Sequence, residues 1–502
     1  MQKITAPTDN YSFLLISSSI WFGGFLVTLG FLWFELGQEV FGNYYLLPWC
    51  FITGVVVLSP VFYYLYRQRF DLFNPLVFGS LSYIFPAFVI GGVILSLGLS
   101  DPFYLAFIED PKTELPLSLV YVAIGYVGLI LGFSLPLARK LAEKIDEKLP
   151  KVDWEPSNVI IGGLMLIIAG FGMNVLGFLR GILGYQRVEN IEIFDGLLIF
   201  LQILLTEGIV LLWMAFFQQK KKTILFYFLA IFLISIIPLR MTLLGSRSAL
   251  LLSLLPIAMA FFYSGKRLKL SHWVIIASLM LAAAFIGAIY GTAFRNIKGS
   301  EARIEAGEYV SQALETLEYL RKEDPILILK DGGLALAERV ENLSSLAVVV
   351  SNYEKLAPYE EAYGLENNII NDLLYTFIPR FIYPEKPKTS DARAYSDLYF
   401  NYGDNSFTIT PFGDLLRNFG PIGIPLGMFF VGFYLRLIYS TLIDTRYPTM
   451  WKKVAYYPLL TVVSYESFYA TIFPSAIRTL IVTVISLYIV HLSTKIFAGN
   501  NR

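Results

Sequence analysis

One cysteine, Cys50, and two histidines, His272 and His491, are the only thiol and imidazole groups in 502 residues. A lone thiol excludes any intrachain disulfide, so cysteine usage does not report the redox compartment. No grouping of His, Cys or carboxylates has the spacing of a zinc site. No glycine pattern of Walker or Rossmann type appears. The expectation is therefore no metal and no cofactor, with the energy for any reaction supplied by an activated substrate. Charge is scarce as well: 16% of residues are charged, and 39 basic residues balance 39 acidic ones. A soluble domain carries about a quarter charged residues. Nucleic acid is excluded as a partner because no basic patch reaches the needed density.

Apolar residues take the place of charge, at 56% of the chain, with a mean hydropathy of +0.60. Runs of roughly 18 to 25 apolar residues, each able to cross about 30 Å of hydrocarbon, recur along the sequence. The expected fold is an all-α polytopic membrane protein with about twelve transmembrane helices. They lie near 12–35, 44–66, 73–98, 116–138, 156–179, 195–218, 222–240, 244–264, 271–294, 419–441, 453–473 and 475–494. Three regions follow: spans one to nine over 1–294, a large extracytoplasmic loop over 295–417, and spans ten to twelve over 418–502.

Lys and Arg in short loops mark the cytoplasmic side. Arg67 and Arg69, Arg139, Lys140 and Lys144, Lys220 to Lys222, Lys266, Arg267 and Lys269, and Arg446, Lys452 and Lys453 fall at every second loop. Both termini are then cytoplasmic, in the plasma (inner) membrane. The first apolar run has no small-residue cleavage site after it and reads as a signal anchor. His272 and His491 fall at cytoplasmic helix ends, away from any site on the outer side.

Nine spans precede the loop and three follow, with no internal repeat, which is unlike a two-halved carrier. Within the loop, EARIEAGEYVSQALETLEYLRKED reads as a charged surface helix. LALAERVENLSSLAVVVSNYEK reads as a second helix, resting on the membrane surface or the bundle. NNIINDLLYTFIPRF is a third, stopped by Pro379. From Pro384 to Pro411, abundant Pro, Gly, Asp, Asn and Ser predict irregular structure.

Arginine is the residue type that gathers on the predicted outer side. Arg240 and Arg247 lie in PLRMTLLGSRSAL, against the cytoplasmic bias; at mid-bilayer such a charge costs about 2.5 to 3.5 kcal/mol. Arg180, Arg187, Arg295, Arg380, Arg393, Arg417 and Arg478 join them. A guanidinium grips phosphate oxygens bidentately and stays charged, so a converging set suits a lipid diphosphate; singly, each is as readily a helix-end or ion-pair residue. IPRFIYPEKP sets Arg380, Glu385 and Lys386 among three prolines and aromatic faces, a mixture suited to sugars and phosphates. In GDLLRNFG, Asp414 and Arg417 stand three apart on one helix face, as a catalytic pair or a local ion pair. Glu466, in VVSYESFYATIFPS, is an intramembrane acid and a functional candidate on that ground.

With these residues together, the chain resembles the Wzy-type O-antigen and oligosaccharide repeat-unit polymerases. The resemblance is carried by the many spans, the late outward loop, GSRS at 245–248, IPRFIYPEKP, and the NFGPIG re-entry at 418–423. It implies a metal-independent membrane glycosyltransferase that joins polyprenyl-diphosphate-linked repeat units into a surface polysaccharide. Donor and acceptor would both be carrier-linked, with membrane lipid, chain-length regulator and flippase proteins as further partners. It also implies that Arg247 and Arg380 hold the donor diphosphate, with Arg240, Arg295, Arg417, Glu385, Lys386, Glu466 and Arg478 as further substrate contacts. Asp414 would take the acceptor proton. Related O-antigen ligases are associated with an outward histidine, which is missing here. The alternatives are a ligase-like glycan transferase, a flippase or other transporter, and a non-catalytic scaffold of a polysaccharide secretion complex.

Overall fold

The structure is a computed structural model that describes residues 43–184, 194–220, 223–244, 249–265, 270–299, 305–378, 382–383, 386, 390–403 and 406–499. The expected first span at 12–35 lies outside the described residues. Among those described, the chain is helical and contains no strand.

Among the described residues, eight helices are long and apolar enough to cross a membrane. The first three are α1 (Tyr44–Tyr66), α2 (Pro75–Ser96) and α3 (Pro111–Ser134). The short amphipathic helix α4 (Pro136–Lys148) follows, then α5 (Ile160–Leu179) and α6 (Asp195–Gln218). The expected spans at 222–240 and 244–264 are α7 (Ile224–Leu244) and α8 (Ala249–Phe262). Their described apolar stretches are Ile224–Pro238 and Leu252–Phe262. Helix α9 (Leu270–Lys298) contains the next candidate span.

Close packing of α3 on the later helix α15 (Thr410–Leu442) organises the bundle. A methyl at Gly132 would stand 1.9 Å from the Phe429 carbonyl oxygen, and one at Gly432 would stand 2.1 Å from that of Leu129. Only glycine lets the two backbones meet, the small-residue route to helix association where lipid removes the hydrophobic incentive.

Helix α15 is not straight. Gly420 adopts φ 67°, ψ −168°, open to glycine but strained for other residues, immediately before Pro421. The limb over 410–419 doubles back: the Leu415 side chain would lie 2.2 Å from a methyl on Gly427, whereas residues twelve apart in a straight helix stand about 18 Å apart. The expected span at 419–441 is the second limb. The first falls at the end of the segment assigned to the loop, where Asp414 and Arg417 were expected to share a helix face, and it is a buried helical turn-back.

The expected span at 453–473 is also interrupted. Helix α16 (Met450–Thr461) stops, residues 463–468 lie outside any helix, and the last span α17 (Tyr469–Ile496) begins. The cause is local, since Ser464 Oγ accepts the Glu466 N–H at 3.2 Å, a turn that competes with helix continuation.

The segment between α9 and α15 begins at 299 and ends at 409, and it is built into the bundle. Its first helix, α10 (Ala306–Lys322), matches expectation, although Tyr309 and Ala313 bury against Tyr290 and Phe294. The expected second helix is two, α11 (Pro325–Val340) and α12 (Leu343–Leu356). They part at Glu341–Asn342, where the Asn342 N–H donates to Ala87 O at 3.1 Å. All of 343–351 in α12 is buried, so this helix belongs to the core. Helix α13 (Asn368–Tyr375) ends before Pro379. Helix α14 (Ala392–Phe400) replaces expected irregular chain, its start fixed by Asp391, whose carboxylate accepts the Arg393 N–H at 3.0 Å as a helix N-cap.

Candidate functional site

Polar groups concentrate at the end of the bundle that carries the 299–409 segment, where the turned-back limb of α15 meets the break before α17. Asp414, Arg417 and Asn418 stand at i, i+3 and i+4 on that limb and share one face. Arg417 Nη1 donates to Glu360 Oε2 at 2.7 Å and Leu365 O at 2.9 Å; Nη2 donates to Asn368 Oδ1 at 2.7 Å and Asp414 Oδ1 at 2.8 Å. Asp414 Oδ1 also accepts from Asn368 at 3.2 Å and Asn418 at 3.3 Å, while Oδ2 accepts the Ala470 N–H at 3.0 Å. Glu360 completes the hub by accepting from the Tyr399 hydroxyl at 2.9 Å. Burial holds the Glu360 carboxyl above the usual carboxylate range, with Arg417 pulling the other way.

The side chains of Asp414 and Arg417 are both 0% exposed. Asp414 is therefore engaged on both oxygens, and Arg417 through both terminal nitrogens. The sequence reading of a base and a phosphate ligand meets a closed structural hub, which ties α12–α14 to both broken helices. Asp372 extends it, accepting from Ser390 at 2.5 Å, whose oxygen in turn accepts from Asn368 at 2.9 Å.

A second ionic pair beside the hub is open. Arg339, near the end of α11, donates to Glu466 on the turn between α16 and α17. Their side chains are 39% and 36% exposed. Burial lowers the Arg339 pKa, and the nearby charge of Arg295 lowers it further. Behind them, Glu341 is buried, its carboxylate taking the Ser344 N–H at 2.8 Å and the Ser344 hydroxyl; burial pushes it up to about 7.

Of the other sequence candidates, Arg247, Arg380 and Glu385 lie outside the described residues, as does the side chain of Arg240. Lys386 donates to Tyr375 O at 2.6 Å and Ile378 O at 3.3 Å, fastening the loop to the end of α13. Arg478 rests over the Phe200 ring at 5.0 Å, within electrostatic reach of Asp372. The structure thus joins Asp414 to Arg417, and brings Glu466 near Arg295 through Arg339; Lys386 and Arg478 each make separate contacts.

Sequence reasoning missed Arg339, Glu341, Glu360 and Asn368, all in a segment treated as loop. It also missed two buried acids elsewhere. Glu207 lies within α6 at 0% exposure, accepting from Thr483 at 2.5 Å and from Ser486. A lone carboxylate in an apolar run was legible by the rule that singled out Glu466. Asp71, between α1 and α2, accepts from the hydroxyls of Tyr439 at 2.9 Å and Tyr263 at 3.1 Å.

These features define a multi-helix membrane protein whose polar core is assembled where two helices break. Residues 169–443 match the family described as a domain of unknown function, DUF8712. That is more than half of the chain, and the chain belongs to this family. No curated protein and no solved structure matches it.

Proposed function

We propose that this protein is a metal-independent membrane glycosyltransferase that joins polyprenyl-diphosphate-linked oligosaccharide repeat units on the outer face of the plasma membrane. The topology in this reading has about twelve spans, with cytoplasmic termini and the 299–409 segment outside, following the basic-loop alternation. The observation that carries it is the half-open cation site of Arg339 with Arg295 alongside, at the edge of a rigid polar hub. Paired guanidinium groups at a wet membrane edge match a leaving diphosphate in charge and geometry. Stabilising the charge that develops on a leaving group is a large term in transfer catalysis. Arg247 and Arg380 remain assigned to the same diphosphate. We assign Asp414 and Arg417 to positioning, because every oxygen of Asp414 is occupied within the hub.

The test supplies purified protein with polyprenyl-diphosphate-linked repeat units. Wild type yields a ladder of longer glycans, and Arg247→Ala and Arg380→Ala lose it while remaining folded. No ladder from wild type with several authentic repeat units would remove the polymerase reading. Glu207 favours a second reading, a transporter, because an acid buried within a span with only hydroxyl partners is a common feature of proton-linked carriers. Uptake that persists in Arg339→Ala and stops in Glu207→Gln would support it.

A further inference from the structure

Glu466 occupies the position at Arg339 that a phosphate oxygen would take. We infer that Glu466 is an internal stand-in for the substrate diphosphate, closing Arg339 in the empty protein and yielding it when the carrier lipid arrives. This rests on the diphosphate reading above.

Contrast between the two ion pairs carries the inference. Arg417 and Asp414 are 0% exposed, with both terminal nitrogens of Arg417 and both oxygens of Asp414 held by further partners, the arrangement of a pair whose opening strands a buried charge. Arg339 and Glu466 are more than a third exposed, and Glu466 Oε2 has no hydrogen bond among the described residues. A pair this open is weak and exchangeable. Charge points the same way, since Arg295 adds its field to that of Arg339. A single carboxylate faces one guanidinium, whereas a diphosphate carries enough charge and oxygens to face two.

The backbone under Glu466 allows the exchange. The Val462 and Val463 N–H groups close α16 on Pro458 O and Leu460 O; residues 464–468 then lie outside any helix, yet both flanks are anchored. Tyr465 packs against Gly79, where an added methyl would meet its hydroxyl at 2.8 Å, and the Ala470 N–H is held by Asp414. The Glu466 side chain can therefore swing away while the turn stays in place. In this account the hub's task is to fix that turn at the correct distance from Arg339.

The test titrates farnesyl diphosphate into the full chain in nanodiscs, comparing wild type with Glu466→Gln, Glu466→Ala and Arg339→Gln. Removing the competitor should tighten binding about five-fold in both Glu466 variants, the scale set by a half-exposed ion pair. Arg339→Gln should weaken it at least about ten-fold, through loss of a charge-assisted bond to phosphate. If Arg339→Gln weakens binding but both Glu466 variants leave it unchanged or weaker, Glu466 orients the arginine and the stand-in inference is overturned while the diphosphate site survives. If wild type does not bind the probe, or Arg339→Gln binds it as wild type does, the diphosphate site itself falls.

Discussion

Asp414→Ala separates a structural hub from a catalytic base. The substitution removes the acceptor for Arg417 at 2.8 Å, Asn368 at 3.2 Å, Asn418 at 3.3 Å and the Ala470 N–H at 3.0 Å. It leaves a guanidinium at 0% exposure with Glu360 as its remaining ionic partner. Breaking a buried pair from one side costs about 3 to 5 kcal/mol, mostly the penalty of the stranded charge. Cys50 provides the assay: it is the one cysteine in the chain, is 1% exposed, and packs against Gly92, which Leu343 of the core helix α12 also approaches. Maleimide labelling of Cys50 under native conditions follows opening of that core. A loss of 3 to 5 kcal/mol should accelerate it by roughly two to three orders of magnitude or more. Arg417→Ala should behave similarly, and the double variant should cost clearly less than the two losses combined, because neither charge is then stranded. Labelling of Asp414→Ala within about three-fold of wild type, equivalent to less than about 1 kcal/mol, would refute the hub and return Asp414 to the list of bases.

Asp71 makes stability depend on pH, because burial pushes its carboxyl from 3.8 up to about 6. Its proton is held more tightly in the folded state, so the contribution is full below about pH 4 and is lost, to about 3 kcal/mol, as pH rises through 6; thermal unfolding followed by tryptophan fluorescence should show this slope in wild type and not in Asp71→Asn. Gly132→Val drives a side chain into the Phe429 carbonyl and should lower the unfolding temperature, at a cost of about 1 to 3 kcal/mol or more. Gly172→Val, which meets nothing within 4 Å, is the control and should be near neutral. For topology, Glu361→Cys, in a Cys50→Ala background, should react with an impermeant maleimide in intact cells, and Lys144→Cys only after permeabilisation; the reverse pattern would invert the proposed orientation.

Helices that are apolar throughout were legible in the sequence, because a bilayer demands length and composition that few other structures share. Six of the expected spans, from 44–66 through 195–218 and at 475–494, coincide with long apolar helices within a few residues. The breaks were not legible. Gly420–Pro421 and Ser464–Glu466 were visible as residues, but whether such a pair kinks, caps or interrupts a helix is decided by tertiary partners such as Gly427 and Asp414. Helix α12 misled for a related reason: LSSLAVVV is apolar enough for a membrane surface or a core, and only packing against α3 and α15 distinguishes them. The spacing of Asp414 and Arg417 correctly announced contact. It could not announce that Glu360 and Asn368, some fifty residues earlier in the chain, would close around them. Arg339 was hidden in a segment read as one continuous helix, whose break at Glu341–Asn342 depends on a bond to Ala87.

In the proposed function, Arg339 and Arg295 receive the diphosphate that leaves when one carrier-linked glycan is transferred to another. The most direct measurement is release of polyprenyl diphosphate, followed with glycan length, from lipid-linked repeat units in nanodiscs containing wild type or the Arg295→Ala/Arg339→Ala double variant. Wild type should release one diphosphate for each repeat unit joined, and the folded double variant should show neither release nor elongation. Elongation that continues at the wild-type rate in the double variant, or glycan growth without release of the carrier diphosphate, would contradict the proposed function.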